Sequence, residues 1–233
     1  MIYKTSHIGR YHKEINGENQ DYICALQDGP NTVISLADGV SSCSRSKAGA
    51  EVAGNVVSKL LIRRGGSIMK YESDEIADIT TAHILAELKR KARHDKSRVE
   101  EYSSTVASVL YDRKHKRLLC INLGDSIIIA TSGNDCRIIA IPFDSSEGCC
   151  VTTTRNSALA VTAKVLSADR IDSVIICSDG AWRHMFKGSR LKQEVSEMLR
   201  GNAFDELRDY LNEQDCSDDY SFVAMNIGTR RLA

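Results

Sequence analysis

Thr32-Val33-Ile34-Ser35-Leu36-Ala37 runs without a break into Asp38-Gly39. A run rich in β-branched and apolar residues reads as a buried strand, and the aspartate and glycine that end it read as the turn leaving the sheet. Just before it, alternating Tyr22, Cys24 and Leu26 form another strand, joined through Gln27-Asp28-Gly29-Pro30-Asn31, a set of turn formers suited to a hairpin. The same ending recurs downstream. An apolar strand over 171–177 runs into Ser178-Asp179-Gly180, another closes on Asn122-Leu123-Gly124-Asp125, and Asp218-Asp219 stand just ahead of a last strand over 221–227.

Between these strands the hydrophobic period changes. From 46 to 64, Ala50, Ala53, Val57, Leu60 and Leu61 recur at helical spacing, and Gly65-Gly66 is read as the stop. A second helix is expected over 73–93, with Ile76, Ile79, Ala82, His83, Leu85, Ala86 and Leu88 on its apolar side. Strands over 104–111, 118–123, 126–131 and 137–141, with turns at 112–116 and 132–135, read as an antiparallel meander. Residues 142–170 read as irregular, and helices are expected over 191–199 and 204–211. Strands, two helices, strands, two helices and a strand predict an α+β fold of packed sheets with helix pairs outside. The chain of 233 residues shows no repeat, low-complexity tract or linker, so a single domain over 1–233 is expected.

Composition excludes several classes of function. Thirty-one basic residues balance thirty-one acidic ones, leaving no net field to attract nucleic acid or an anionic membrane. No apolar run reaches the ~18 residues of a membrane span. The opening Met1-Ile2-Tyr3-Lys4-Thr5-Ser6-His7 lacks the apolar stretch of a secretory leader, so a cytoplasmic protein is expected. The eight cysteines show no Cys-x-x-Cys pair or zinc-site grouping. Cys120 and Cys177 sit within apolar runs and read as small core residues. Cys149 and Arg155 have the Cys-x5-Arg spacing of thiol-dependent phosphatases, but Cys150-Val151-Thr152-Thr153-Thr154 is β-branched and lacks glycine, favouring a strand over a loop of amides that cradles phosphate.

The position of the acids is more informative. Asp38, Asp125, Asp179 and Asp218-Asp219 each mark the end or beginning of an apolar strand, and three of these sites adjoin glycine. Asp and Gly are the commonest turn residues, so one such pair says little. Four carboxylate sites gathered at one end of a sheet would repel one another unless a cation lay among them, and oxygen ligands suit Mg²⁺ or Mn²⁺. The glycines are read as leaving open space for that cation.

Taken in order, these residues resemble the metal-dependent type 2C (PPM-type) serine/threonine protein phosphatases, especially the short bacterial members. Asn19-Gln20-Asp21 is similar to the family's early acidic motif, and Ala37-Asp38-Gly39-Val40-Ser41-Ser42, with Ser46-Lys47-Ala48-Gly49-Ala50-Glu51, to the Asp-Gly motif and its following helix. Ser103-Ser104-Thr105, Asn122-Leu123-Gly124-Asp125-Ser126, Cys177-Ser178-Asp179-Gly180 and Asp218-Asp219-Tyr220-Ser221 resemble the later motifs. The resemblance implies a four-layer α-β-β-α sandwich of two antiparallel sheets flanked by helix pairs, with two Mn²⁺ or Mg²⁺ ions, or three, at one edge. By motif position Asp38 would bridge two ions and the Gly39 carbonyl would bind one. Asp179 and Asp218 would hold the other, Asp125 would belong to a weaker third, and Asp21 would position water. A metal-bridging hydroxide would then attack phosphoserine or phosphothreonine in a protein. Asp21, Asp38 and Asp179 are the implied catalytic residues, and either Asp218 or Asp219 could be the ligand.

The departures from the pattern are specific. Gln20 stands where many members have glutamate, and Asn16 where an arginine grips the substrate phosphate. Val40 replaces a histidine found in some members. A bacterial subgroup with Gly9-x-x-His12 and Gln20-Asp21 resembles this variant more closely, so His12, Arg10 or Arg45 is expected to contact phosphate instead, with Lys13 a further candidate. The alternative is a pseudophosphatase that binds phosphoproteins or a kinase without turnover; a small-molecule phosphatase is a third reading. Phosphorylated proteins and a cognate Ser/Thr kinase are the implied partners, and a monomer is expected. Residues 142–170 fall where the family carries a mobile flap. The basic residues at 89–98 and 113–117 read as a solvated face.

Overall fold

The computed structural model describes residues 1–141, 144, 145 and 148–228. In chain order its elements are β1 (Ile2–His7), α1 (Arg10–Glu14), β2 (Asp21–Asp28), β3 (Asn31–Asp38), α2 (Ser46–Ile68), α3 (Ser73–His94), β4 (Val106–Asp112), β5 (Arg117–Leu123), β6 (Ile127–Ser132) and β7 (Asp135–Ala140). There follow β8 (Asp144–Ser145), β9 (Gly148–Cys149), β10 (Thr162–Ser167), β11 (Ser173–Cys177), α4 (Asp179–Met185), β12 (Phe186–Lys187), β13 (Arg190–Leu191), α5 (Gln193–Gly201), α6 (Phe204–Asn212) and β14 (Tyr220–Asn226). One five-stranded sheet has the order β1-β14-β11-β6-β7 and the other β10-β5-β4-β3-β2. Both are antiparallel throughout.

The two-residue period of the strands builds the layers. On β11, Val174 and Ile176 face the other sheet, where they join Ile34, Leu36, Val109 and Leu118. Ile175 and Cys177 point the opposite way, against Val195, Leu199, Leu207 and Leu211 of α5 and α6. On the far side, Val33, Leu110, Leu119 and Ile121 pack against Ala53, Val57, Leu61, Ile84 and Leu88 of α2 and α3. Each fully buried Leu, Ile or Val in these layers contributes about 1.5–3 kcal/mol. The result is the four-layer sandwich of helices, two sheets and helices.

Several expectations need correction. The supposed meander over 104–141 is split: β4 and β5 form a hairpin in one sheet, β6 and β7 a hairpin in the other, and the short link at Gly124-Asp125-Ser126 crosses between sheets. The Gly65-Gly66 stop is overridden, since α2 continues to Ile68. A Cβ on Gly65 would overlap the buried Leu110 side chain, so the missing side chain lets the helix lie close to β4. Its cost of about 1 kcal/mol in helix propensity is offset by burial of Ile68 beyond it. Within the stretch read as irregular, 162–167 is the edge strand β10, paired with β5. The flap expectation falls partly on residues 142, 143, 146 and 147, outside the described residues, as does the thiol of Cys149. Cys24, Cys120, Cys177 and Cys216 are buried and unbridged, and burial pushes the Cys120 thiol up to about 12, so it stays protonated as packing material.

Candidate metal centre

The antiparallel register brings the strand-end acids to one end of the sandwich. Asp21, the first residue of β2, lies directly opposite Asp38, the last of β3. Asp179 opens α4 where β11 ends, Asp218 precedes the neighbouring β14, and Asp125 sits in the crossing between β5 and β6. Short polar residues hold these ends in place. The Asp38 N–H donates to Thr105 Oγ1 at 3.2 Å, and the Thr105 N–H donates back to the Asp38 carbonyl at 2.8 Å. Ser103 takes the N–H of Val40 at 3.0 Å, so Ser103-Ser104-Thr105 clamps the loop after Asp38. The Ser178 hydroxyl accepts the Ser221 N–H at 2.9 Å and donates to Asp21 Oδ2 at 3.1 Å, linking one sheet to the acid of the other. The indole N–H of Trp182 donates to the Asp125 carbonyl at 2.8 Å.

These carboxylates sense one another. Burial, then Asp21, Asp179, Asp125 and Asp218, raises the Asp38 carboxyl well above the usual carboxylate range. Asp21 is raised to about 7, chiefly by burial, with Asp219 and Asp179 adding repulsion. Asp125 is raised to about 6 by burial and Asp179, and Asp218 is raised by burial and the same neighbour. Among the described residues, Asp21 Oδ1, Asp125 Oδ1, Asp179 Oδ1 and Gln20 Oε1 are buried acceptors without a hydrogen-bond donor. Buried oxygens normally have partners. A set of carboxylate and amide oxygens that repel one another and lack donors fits a hard divalent cation such as Mg²⁺ or Mn²⁺.

A family model described as protein phosphatase 2C matches residues 8–214. The chain belongs to the protein phosphatase 2C family. Three solved structures share its fold. A bacterial serine phosphatase superposes with a TM-score of 0.72 at 12% identity, covering 99% of each chain. Serine/threonine phosphatase Stp1 from Staphylococcus aureus gives 0.71 at 12% identity, covering 98% of this chain and 95% of that one. RsbX in complex with magnesium gives 0.63 at 11% identity, covering 96% and 92%. No curated protein sequence matches the chain.

Within this phosphatase 2C fold, Asp218 and Asp219 part company. Asp219 is buried and its oxygens already accept three hydrogen bonds: Oδ1 from the Gly9 N–H at 2.8 Å, and Oδ2 from the Gln20 N–H at 2.7 Å and from His12 Nδ1 at 2.9 Å. Asp218 is half-buried and, among the described residues, its carboxylate takes only the Asp219 N–H, at 2.9 Å, which leaves it more open to a cation than Asp219. His12, Asp218 and Asp219 offer ligand atoms within 4.8 Å of one another, with His12 Nδ1 and Asp219 already bonded to each other. His12 is buried and braces the loop before β2. Arg10 is exposed and pairs with Asp215 at 2.5 Å and Glu14 at 3.7 Å. Arg45 is held by Glu101 at 3.6 Å and Asp95 at 3.8 Å, on a cleft of about 250 Å³ that it shares with Gln20, Ser44, Ser46 and Lys47. The glycines do not leave open space beside the acids. A Cβ on Gly39 would lie 2.8 Å from the Ser46 backbone, and one on Gly180 would overlap the Asp219 carbonyl, so both serve close backbone packing.

Some residues at the site were not singled out in the sequence. Ser178 and Trp182 fix Asp21 and the Asp125 turn, and Arg183 places Nη2 3.0 Å from Asp179 Oδ2. Reading 179–185 as a helix would have exposed the last of these, because residues four apart share a helix face. Among the basic residues at 89–98 and 113–117, Arg90 pairs with Glu87 at 2.7 Å and Lys91 with Asp95 at 2.8 Å.

Proposed function

We propose that the protein is a Mn²⁺- or Mg²⁺-dependent phosphatase acting on phosphoserine and phosphothreonine in proteins. The observation that carries this reading is the gathering of Asp21, Asp38, Asp125, Asp179 and Asp218 at one sandwich end with donor-free buried oxygens. Asp38 and the Gly39 carbonyl would hold one ion, Asp38, Asp179 and Asp218 a second, and Asp125 a weaker third. Bound divalent cations supply Lewis acidity, making water more acidic and offsetting phosphoryl charge. Asp21, anchored through Oδ2 by Ser178, keeps Oδ1 free of donors and so able to hold or order a water at the centre. Gln20 brings an amide oxygen where a carboxylate would add charge, which predicts weaker ion binding than a glutamate would give.

Among the described residues no helix is long and apolar enough to cross a membrane. The unbridged buried thiols suit a reducing compartment, and on this reading the enzyme is cytoplasmic, with phosphoproteins and a cognate kinase as its partners. Gln20 and Asn16 favour one second reading, a pseudophosphatase that binds phosphoproteins without turnover. Retention of Asp38, Asp125, Asp179 and Asp218 favours catalysis, because mutually repelling buried acids destabilise a fold that has no use for them. The test is hydrolysis of p-nitrophenyl phosphate and of phosphoserine and phosphothreonine peptides with Mn²⁺ and with chelator. Turnover that depends on Mn²⁺ is expected. Turnover that survives chelation overturns the metal-dependent mechanism, and Mn²⁺ binding without any turnover selects the pseudophosphatase.

A further inference from the structure

A phosphate dianion entering a pocket of five carboxylates needs positive charge from the protein as well as from ions. The chain lacks an arginine at position 16, where asparagine occupies an exposed left-handed turn with φ 51°. Three of the other expected cations are held elsewhere: His12 by Asp219, Arg10 by Asp215 and Glu14, Arg45 by Glu101 and Asp95. Arg183 is placed differently. Its Nη2 lies 3.0 Å from Asp179 Oδ2, yet its side chain is 60% exposed while that of Asp179 is only 8% exposed. One edge of the guanidinium fork therefore enters the acidic pocket and the rest faces outward, with N–H donors to spare. Its charge also reaches Asp125, partly opposing the rise in that carboxyl. The guanidinium carbon lies 5.9 Å from the centre of the Trp182 ring, and that ring is fixed to the Asp125 carbonyl through its indole N–H. The arginine is thus backed by a side chain tied to the floor of the same site.

We infer that Arg183 grips the substrate phosphate, reaching it from the first turns of α4 instead of from the loop before β2. The inference rests on the phosphatase reading and supplies the phosphate contact that Asn16 lacks. A planar fork with one nitrogen on Asp179 can offer its remaining donors to phosphate oxygens, coupling the substrate to a ligand of the metal centre. A lysine there would supply charge without the fork.

The test compares full-length wild type, Arg183→Lys and Arg183→Ala. It measures phosphopeptide kinetics, calorimetric binding of inorganic phosphate to the Mn²⁺-loaded proteins, and Mn²⁺ binding to the metal-free proteins, with thermal melts to confirm folding. For Arg183→Ala, KM and the phosphate Kd are expected to rise about tenfold or more while Mn²⁺ affinity does not fall, with Arg183→Lys recovering part of the loss. Unchanged phosphate binding in Arg183→Ala overturns the assignment. So does a variant that loses Mn²⁺ affinity alone, or a wild type that binds no phosphate. If the wild type binds phosphate but turns over no phosphoester, the catalytic reading fails, yet the difference in phosphate Kd still decides the role of Arg183.

Discussion

Asp219 shows how one buried residue can tie together the segments of a site. Its two oxygens accept from Gly9, Gln20 and His12, so a single buried carboxylate fastens the loop before β2 to the start of β14. Asp219→Ala would orphan three buried donors and is expected to cost on the order of 3 kcal/mol, with Asp219→Asn losing less because it keeps one acceptor oxygen. Urea unfolding midpoints would show it, and a midpoint for Asp219→Ala equal to wild type would refute the role. The sequence could not separate Asp218 from Asp219, since adjacent acids look alike until one is seen to be saturated. Nor could it tell a phosphate-binding His12 from a brace, because both call for a histidine in a loop. The departure at Gln20, by contrast, was plain in the sequence. Gln20→Glu adds a charge to a repelling set, so it is expected to tighten Mn²⁺ binding severalfold and to lower metal-free stability. Calorimetric Mn²⁺ titration and a melt of the metal-free variant test both halves, and weaker Mn²⁺ binding would contradict the placement of residue 20 at the centre.

At the scale of elements, what could be read depended on whether both faces of an element obeyed one pattern. α3 and the inner strands β3, β5 and β11 have clear periods because each packs on the core along its length. The edge strand β10 does not: Thr162-Ala163-Lys164-Val165-Leu166-Ser167 mixes charged and apolar residues on a partly exposed rim and reads as irregular. Gly124-Asp125-Ser126 looks like a hairpin turn, and only the pairing of its flanking strands with different partners shows that the chain changes sheets. The pair Gly65-Gly66 was misread for a related reason, since local propensity favours a stop and packing against Leu110 overrules it. The two glycines should therefore respond oppositely. Gly66→Ala meets nothing within 4 Å and is expected to stabilise by about 0.5–1 kcal/mol through helix propensity. Gly65→Ala gains the same propensity but overlaps a fully buried leucine, and overpacking of about 1–3 kcal/mol makes it a net loss. Thermal denaturation of the two variants should separate them in sign, and two shifts of the same sign would be evidence against the close packing of α2 on β4.

For the molecule as a whole, a net charge of zero conceals a strongly uneven distribution, with repelling acids at one sandwich end and paired basic residues on the surface elsewhere. The positions of those acids were legible because strand ends are; their mutual effect was not, because it depends on register and burial. It has a consequence for pH. An aspartate in the unfolded chain titrates near ~3.9, whereas Asp21 and Asp125 in the fold titrate at about 7 and about 6, with Asp38 raised as well. Between these values the folded chain holds more protons than the unfolded one, so its stability falls as pH rises and the contribution is lost above about pH 7. His7 and His184, lowered by burial, act in the opposite sense, but chiefly below the ordinary histidine value. The metal-free protein is therefore expected to lose thermal stability from pH 6 to pH 8, and Asp21→Asn to flatten that slope. Cations bind the deprotonated acids, so saturating Mn²⁺ should raise the Tm more at pH 8 than at pH 6. Differential scanning calorimetry with and without Mn²⁺ would measure both trends. A metal-free Tm that climbs across this range in the wild type and in Asp21→Asn alike would show that the acids are not held together as the structure has them.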